Sequence, residues 1–214
     1  MEDAKRLIED ERFKILKVKI GVDSKKDIAR IKAIREAVGD EPRIRVDANE
    51  GYSVDTAIAT LNELQQYDIE FVEQPVASDD LEGMANVRDA IEIPVMADES
   101  VREPQDVYNI IDYQAADMVN IKLMKAGGIH NGLKIASIAA EAGMVCQIGC
   151  FIETSIGIAA ATHVALAVEN IKFADLDGHL FLTQDLVGDF KLTNEGINKV
   201  SNEPGLGLNV TIPP

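Results

Sequence analysis

Residues 43–75, RIRVDANEGYSVDTAIATLNELQQYDIEFVEQP, hold one complete strand–helix–strand unit. RIRVDAN (43–49) reads as a strand. Ser53 opens a helix carrying Ile58, Leu61 and Leu64 at helical spacing, and IEFVEQP (69–75) is a second strand ended by Pro75. Near the end of each strand stands a carboxylate, Asp47 in one and Glu73 in the other. Strand, helix and strand in this order predict a βαβ crossover and therefore a parallel sheet.

The same alternation extends in both directions. Upstream, ILKVKIG (15–21) is a strand, and Ser24 with Asp27 three residues on predicts a capping-box start to a helix. Ile28, Ile31, Ile34 and Val38 line that helix and Gly39 stops it. Downstream come a helix over 79–91, the strand IPVMADES (93–100), and a helix with Pro104 in its first turn and Val107, Ile110 and Ile111 along it. ADMVNIK (116–122), a helix over about 129–142, MVCQIG (144–149), a helix over about 155–168 and IKFADLD (171–177) complete seven alternations with no long linker. The strands are apolar on both faces, as a sheet covered by helices requires.

Polar residues recur at the strand ends: Lys19, Asp47, Glu73, Asp98 and Lys122, at intervals of 28, 26, 25 and 24 residues, with Asp175 a further 53 residues on. In a (β/α)8 barrel, side chains at the C-terminal strand ends converge on one mouth. An open doubly wound sheet would bring only neighbouring strand ends together, and no Gly-rich phosphate fingerprint is present. The predicted fold class is α/β, a TIM-type (β/α) barrel.

A net charge of −16, from 37 acidic against 21 basic residues, argues against a nucleic-acid-binding surface, which needs a basic patch or stripe. Cys146 and Cys150 form neither a zinc pattern nor a disulfide framework and read as two thiols in a reducing compartment. MEDAKRLIED lacks the apolar core of a signal peptide, and the apolar stretch 133–168 is interrupted by Glu141, Gln147 and Glu153. A soluble cytoplasmic protein with no membrane partner is expected.

Lys17 and Lys19 are two apart in a strand and so share a face, an arrangement that needs counter-charge. Any one of Asp47, Glu73 and Asp98 alone could be a helix cap or an ion-pair partner. Three carboxylates on consecutive strand ends repel unless a cation sits among them, and an oxygen-only donor set with no nearby His or Cys favours Mg²⁺. Lys19 and Lys122 flank the trio. They could simply neutralise it, or serve as two acid–base groups addressing opposite faces of one carbon. His130, His163 and His179 fall outside the strand-end series and read as structural, His130 as a helix cap; Gly127-Gly128 reads as a turn at a helix start.

Lys17-x-Lys19, Asp47 in VDAN, Glu73 in VEQP, Asp98 in ADES and Lys122 in NIKLMKAGGI together closely resemble the enolase superfamily, in its muconate lactonising subgroup. The resemblance runs from about residue 2 to the C-terminus. It implies an isomerase in which Asp47, Glu73 and Asp98 hold Mg²⁺, the metal binds the substrate carboxylate, and a lysine removes the α-proton to leave a stabilised enediolate. Lys19 and Lys122 would be the two bases, Lys17 an electrostatic helper beside the substrate carboxylate, and Asn49 and Glu99 supporting groups.

Asp175-x-Asp177 in FADLDGHLFL resembles the D-x-D motif of dipeptide epimerases, where two carboxylates bind the α-ammonium of an L-alanyl dipeptide. IGCFIETSIG (148–157) resembles the preceding strand-end loop, which implies that the backbone at Cys150 and Ile152 touches substrate; Glu153 stays outside the catalytic set. The resemblance thus implies 1,1-proton transfer at the α-carbon of the C-terminal residue of a dipeptide, of L-Ala-Glu type. An o-succinylbenzoate synthase or N-acylamino acid racemase would share the lysines and metal ligands, but an N-acyl substrate has no ammonium for Asp175 and Asp177.

Members of the superfamily carry an α+β capping domain and a first barrel strand ahead of the part resembled here. Residues 1–214 are therefore expected to be one incomplete barrel domain of about seven strands. An open sheet edge invites pairing with another chain, so a homo-oligomer is expected, or a separate chain that supplies the capping domain and first strand. The alternative is a non-catalytic barrel fragment that assembles through that edge. GLGLNVTIPP, at the C-terminus, would pack towards the absent cap.

Overall fold

The computed structural model describes residues 2–10, 13–187, 190, 193 and 196–210, so GLGLNVTIPP is described only as far as Val210. The order of elements is α1 (Glu2–Glu9), β1 (Ile15–Lys19), α2 (Ser24–Val38), β2 (Arg43–Asp47), α3 (Val54–Leu64), β3 (Ile69–Glu73), α4 (Leu81–Ala90) and β4 (Val95–Ala97). There follow α5 (Pro104–Tyr113), β5 (Met118–Lys122), a one-turn α6 (Leu123–Ala126), α7 (Ile129–Glu141), β6 (Val145–Gly149), α8 (Ser155–Ala167) and β7 (Ile171–Ala174). Short 3-10 turns cover Gln65–Tyr67 and Gly178–Phe181. No helix among the described residues is long and apolar enough to cross a membrane.

The chain divides into two compact units, Met1–Ser100 with Tyr108–Met118, and Val101–Val107 with Val119–Pro214. In the first, β1 to β4 are parallel and lie in chain order, with Lys19 opposite Asp47, Asp47 opposite Glu73, and Glu73 opposite Met96. Ile44, Val46, Phe71, Val72 and Val95 of these strands are fully buried, and side chains of this size stabilise by about 1.5–3 kcal/mol each. Ile31 of α2, Leu61 and Leu64 of α3, and Met84 of α4 supply the helical side of this core. In the second unit β6 runs parallel to β7, and Ile121, Ile135, Ile148 and Ile158 are fully buried.

Several local details differ from the sequence expectation. The N-cap of α2 is Asp23, whose side chain accepts from Lys26 N at 3.2 Å; Ser24 lies inside the helix and bonds the Thr60 hydroxyl at 2.7 Å. The carboxylate one residue earlier captures the free N–H and leaves Asp27 for another task. Gly39 does stop α2, at φ 74°. Only Val95–Ala97 of 93–100 is strand, and Asp98 follows it. Lys122 runs straight into the short α6, which the periodicity did not signal. The N-cap of α7 is Gly128 with no capping side chain, so His130 does not cap it.

Candidate active site

Lys19 ends β1, Asp47 ends β2, Glu73 ends β3 and Asp98 follows β4. The parallel register carries Lys17, Lys19, Asp47 and Glu73 on one face of the first unit. Asp47 and Glu73 are 0% exposed and Asp98 2%. Lys17 Nζ lies 3.0 Å from Asp47 Oδ2 and 2.9 Å from Glu73 Oε2. Lys19 Nζ lies 2.6 Å from Asp47 Oδ2 and 2.6 Å from Asn49 Oδ1. The two lysines that looked like a liability in the sequence are both charge-paired, but unequally. The Lys17 side chain is 19% exposed and that of Lys19 is 62% exposed.

Burial raises the proton affinity of Glu73; Lys17 opposes the shift, while the charges of Asp47 and Asp98 and a side-chain hydrogen bond with Asp98 reinforce it. Carboxyls that meet in this way need a shared proton or added positive charge. Among the described residues, no three carboxylate, imidazole or thiol groups stand in a ready metal-holding arrangement; here the counter-charge to the carboxylates includes the ammonium groups of Lys17 and Lys19. The donor chemistry still fits a hard divalent cation: three buried carboxylates from successive strand ends, with the charges of Asp47 and Asp98 adding to the burial that raises the proton affinity of Glu73.

Neighbouring groups hold this cluster in place. Asn49 takes a positive φ of 41°, its N–H donates to Asp47 Oδ1 at 3.0 Å, and its amide donates to Glu99 Oε1 at 2.9 Å. The other Glu99 oxygen is buried without a hydrogen-bond partner, and burial followed by the nearby Asp98 charge raises its carboxyl pKa. Gln74, which sequence reasoning passed over, is fully buried with φ 37°. Its Oε1 accepts from the N–H of Asp98 at 2.9 Å and of Ser100 at 3.2 Å, while its Nε2 donates to Ser100 Oγ at 2.9 Å. Gln74 thereby fixes the turn that presents Asp98. Its signal in the sequence was its place directly after Glu73, in a stretch read only as strand.

The second unit carries the remaining candidates. Lys122, 8% exposed at the end of β5, places Nζ 5.0 Å from the centre of the Phe151 ring. Cys150 follows β6, and its thiol is pushed up to about 12, by burial first and then by the charges of Asp175, Asp177 and Glu153. The structure therefore brings Cys150 and the Asp175/Asp177 pair together, just past β7. A Cβ at Gly178 would collide with the Phe151 carbonyl, and Asp175 N donates to Ile148 O at 2.9 Å, so the two loops are joined by backbone. Ile152 is 66% exposed. Glu153 accepts from Phe151 N at 3.1 Å and so shapes this loop.

Over residues 1–212 the chain matches the family described as enolase C-terminal domain-like. The chain belongs to this family. It is 46% identical over 199 residues to an L-Ala-D/L-Glu epimerase of Clostridium acetobutylicum, covering 92% of this chain and 55% of that protein. It is 44% identical over 198 residues to a hydrophobic dipeptide epimerase of Enterococcus faecalis, covering 92% and 56%. A dipeptide epimerase of Cytophaga hutchinsonii, solved with Mg and the dipeptide D-Ala-L-Val, superimposes with a TM-score of 0.94 at 41% identity, over 98% of this chain and 57% of that one. The TIM-type (β/α) fold expected from the strand–helix alternation is the fold of this family. The chain spans little more than half the length of these relatives.

Proposed function

We propose that this chain carries the barrel part of a Mg²⁺-dependent isomerase that epimerises the α-carbon of the C-terminal residue of a dipeptide, of L-Ala-Glu type. The observation that carries the reading is the buried carboxylate trio, set on successive strand ends beside two lysines of unequal exposure. In this reading Asp47, Glu73 and Asp98 hold Mg²⁺, which when bound would neutralise the substrate carboxylate and favour loss of the neighbouring α-proton.

The residues of the chain do the rest. Lys19, its side chain 62% exposed, takes the α-proton from one face of one epimer while the Lys122 ammonium delivers a proton to the opposite face, and the two exchange roles for the other epimer. Lys17, locked between Asp47 and Glu73, holds positive charge beside the substrate carboxylate. Asp175 and Asp177 bind the dipeptide ammonium, and the backbone of Cys150 and Ile152 lines its path. The anionic surroundings of Cys150 support an ammonium-bearing substrate over an N-acyl one.

The partner belongs to the same reading. A groove of about 480 Å³ runs beside β1, lined by Ala4 and Leu7 of α1, Leu16 and Val18 of β1, and Ile34 of α2. An extended strand from a second polypeptide would fit it, meeting β1 at the end of the strand order. Sedimentation of the chain at rising concentration, with and without Leu7→Glu, tests whether a second copy fills the groove: association lost on the substitution supports it, and a monomer throughout refutes self-association there.

The function itself is tested by the α-hydrogen of L-Ala-L-Glu in D₂O. Mg²⁺-dependent exchange, lost in Lys19→Ala with Lys122→Ala, is expected. No exchange, even with the completing chain added, overturns the reading.

A further inference from the structure

Asp27 is 1% exposed in the first turn of α2. Its Oδ2 accepts from the N–H groups of Gly21 at 3.0 Å, Val22 at 3.2 Å and Asp23 at 3.2 Å, and from the Tyr52 hydroxyl at 2.7 Å. Its Oδ1 accepts from Arg30 Nη1 at 2.7 Å, and the same nitrogen donates to the backbone carbonyl of Lys19 at 2.9 Å. Tyr52 closes the turn after Asp47, the turn that carries Asn49, and Asn49 receives the Lys19 ammonium at 2.6 Å. One carboxylate thus ties the loop after Lys19 to the loop that binds its tip.

The two loops also meet backbone to backbone. Gly21 sits at φ +104°, and a Cβ there would strike the Ala48 carbonyl; a Cβ at Gly51 would strike the carbonyl of Gly21. Close approach fixes the separation of the loops, and the Asp27 bonds fix their orientation. Lys17 has a different support, since its ammonium is gripped directly by Asp47 and Glu73.

We propose that Arg30, Asp27 and Tyr52 form a positioning relay that sets where the Lys19 ammonium stands, and that it serves Lys19 and not Lys17. The inference rests on the reading of Lys19 as the base for one epimer. Arg30 touches no reacting atom; it acts through the Lys19 backbone.

The test compares Arg30→Met and Arg30→Lys with wild type, following Mg²⁺-dependent α-hydrogen exchange in D₂O from L-Ala-L-Glu and from L-Ala-D-Glu separately. A base displaced by a fraction of an ångström loses rate steeply, so R30M is expected to slow exchange by about tenfold from the epimer that faces Lys19. Exchange without inversion from the epimer that faces Lys122 stays within about twofold, and R30K, which keeps a donor for both acceptors, recovers most of the loss. Equal losses from both epimers, or none from either, overturn the relay. If wild type itself shows no exchange, the functional reading fails, and the relay is judged by mass-spectrometric acetylation of the native chain. R30M then should change the labelling rate of Lys19 by about threefold and leave that of Lys17 unchanged; an unchanged ratio of the two overturns it.

Discussion

Lys17 Nζ stands 2.9 Å from Glu73 Oε2, and this ammonium lies between two fully buried carboxylates of adjacent strands. Removing one partner of a buried pair strands the other charge. Lys17→Met is therefore expected to lower stability by about 3 kcal/mol in EDTA. Saturating Mg²⁺ should restore part of that loss. Urea melts with and without the metal check both statements.

Lys19 offers the contrast. Its side chain is 62% exposed, and exposed pairs contribute about 0–1 kcal/mol. Lys19→Met is expected to melt within about 1 kcal/mol of wild type and yet to lose a factor of about 100 or more in exchange rate from one epimer. A large loss of stability would mark Lys19 as structural.

Glu73 is crowded by burial and by the Asp47 and Asp98 charges. Glu73→Gln removes one negative charge while keeping shape, so its stability in EDTA is expected to match or exceed wild type. Mg²⁺ at a hundred times its Kd should raise wild-type stability by about 2.7 kcal/mol and leave E73Q nearly unmoved. Thermal melts across a Mg²⁺ titration decide this.

Asp27 carries a pH signature. Burial opposes its charge, but the Tyr52 hydroxyl, the N–H groups of Gly21 and Asp23, and Arg30 outweigh it and hold the carboxyl below its ordinary value of 3.8. A depressed folded-state pKa adds stability that is complete above the unfolded value and is lost as pH falls through the folded one. Asp27→Asn is expected to cost about 2 kcal/mol at pH 7, with the gap to wild type closing below pH 3.8. A gap constant from pH 7 to pH 2 would refute the assignment.

Both thiols are raised to about 12, Cys146 by burial and Cys150 by burial and neighbouring carboxylates. Thiolate is the reactive form, so neither cysteine should react with Ellman's reagent at pH 8 in the native chain, while both react in 6 M guanidinium (a denaturing level). Rapid native labelling at Cys150 would contradict the structure.

The alternation of RIRVDAN, an amphipathic stretch and IEFVEQP was enough to indicate parallel strand–helix units, because period-two and helical spacing are local properties of the chain. Strand-end spacing likewise picked out Lys19, Asp47, Glu73 and Asp98, since a βα repeat of near-constant length brings each strand end to the same level. Which lysine is gripped by two carboxylates and which is the more exposed was not legible, because that depends on the register of β1 against β2 and β3. Gln74 and Asp27 were missed for a related reason. Gln74 reads as part of a strand until its positive φ turns its amide towards Asp98, and Asp27 reads as a capping residue until Tyr52, 25 positions away, donates to it. Sequence periodicity determined the elements and the residue types at their ends. Only the tertiary structure decided which oxygen meets which nitrogen, because hydrogen bonds and ion pairs act over about 3 Å and link loops that sequence spacing leaves unconnected.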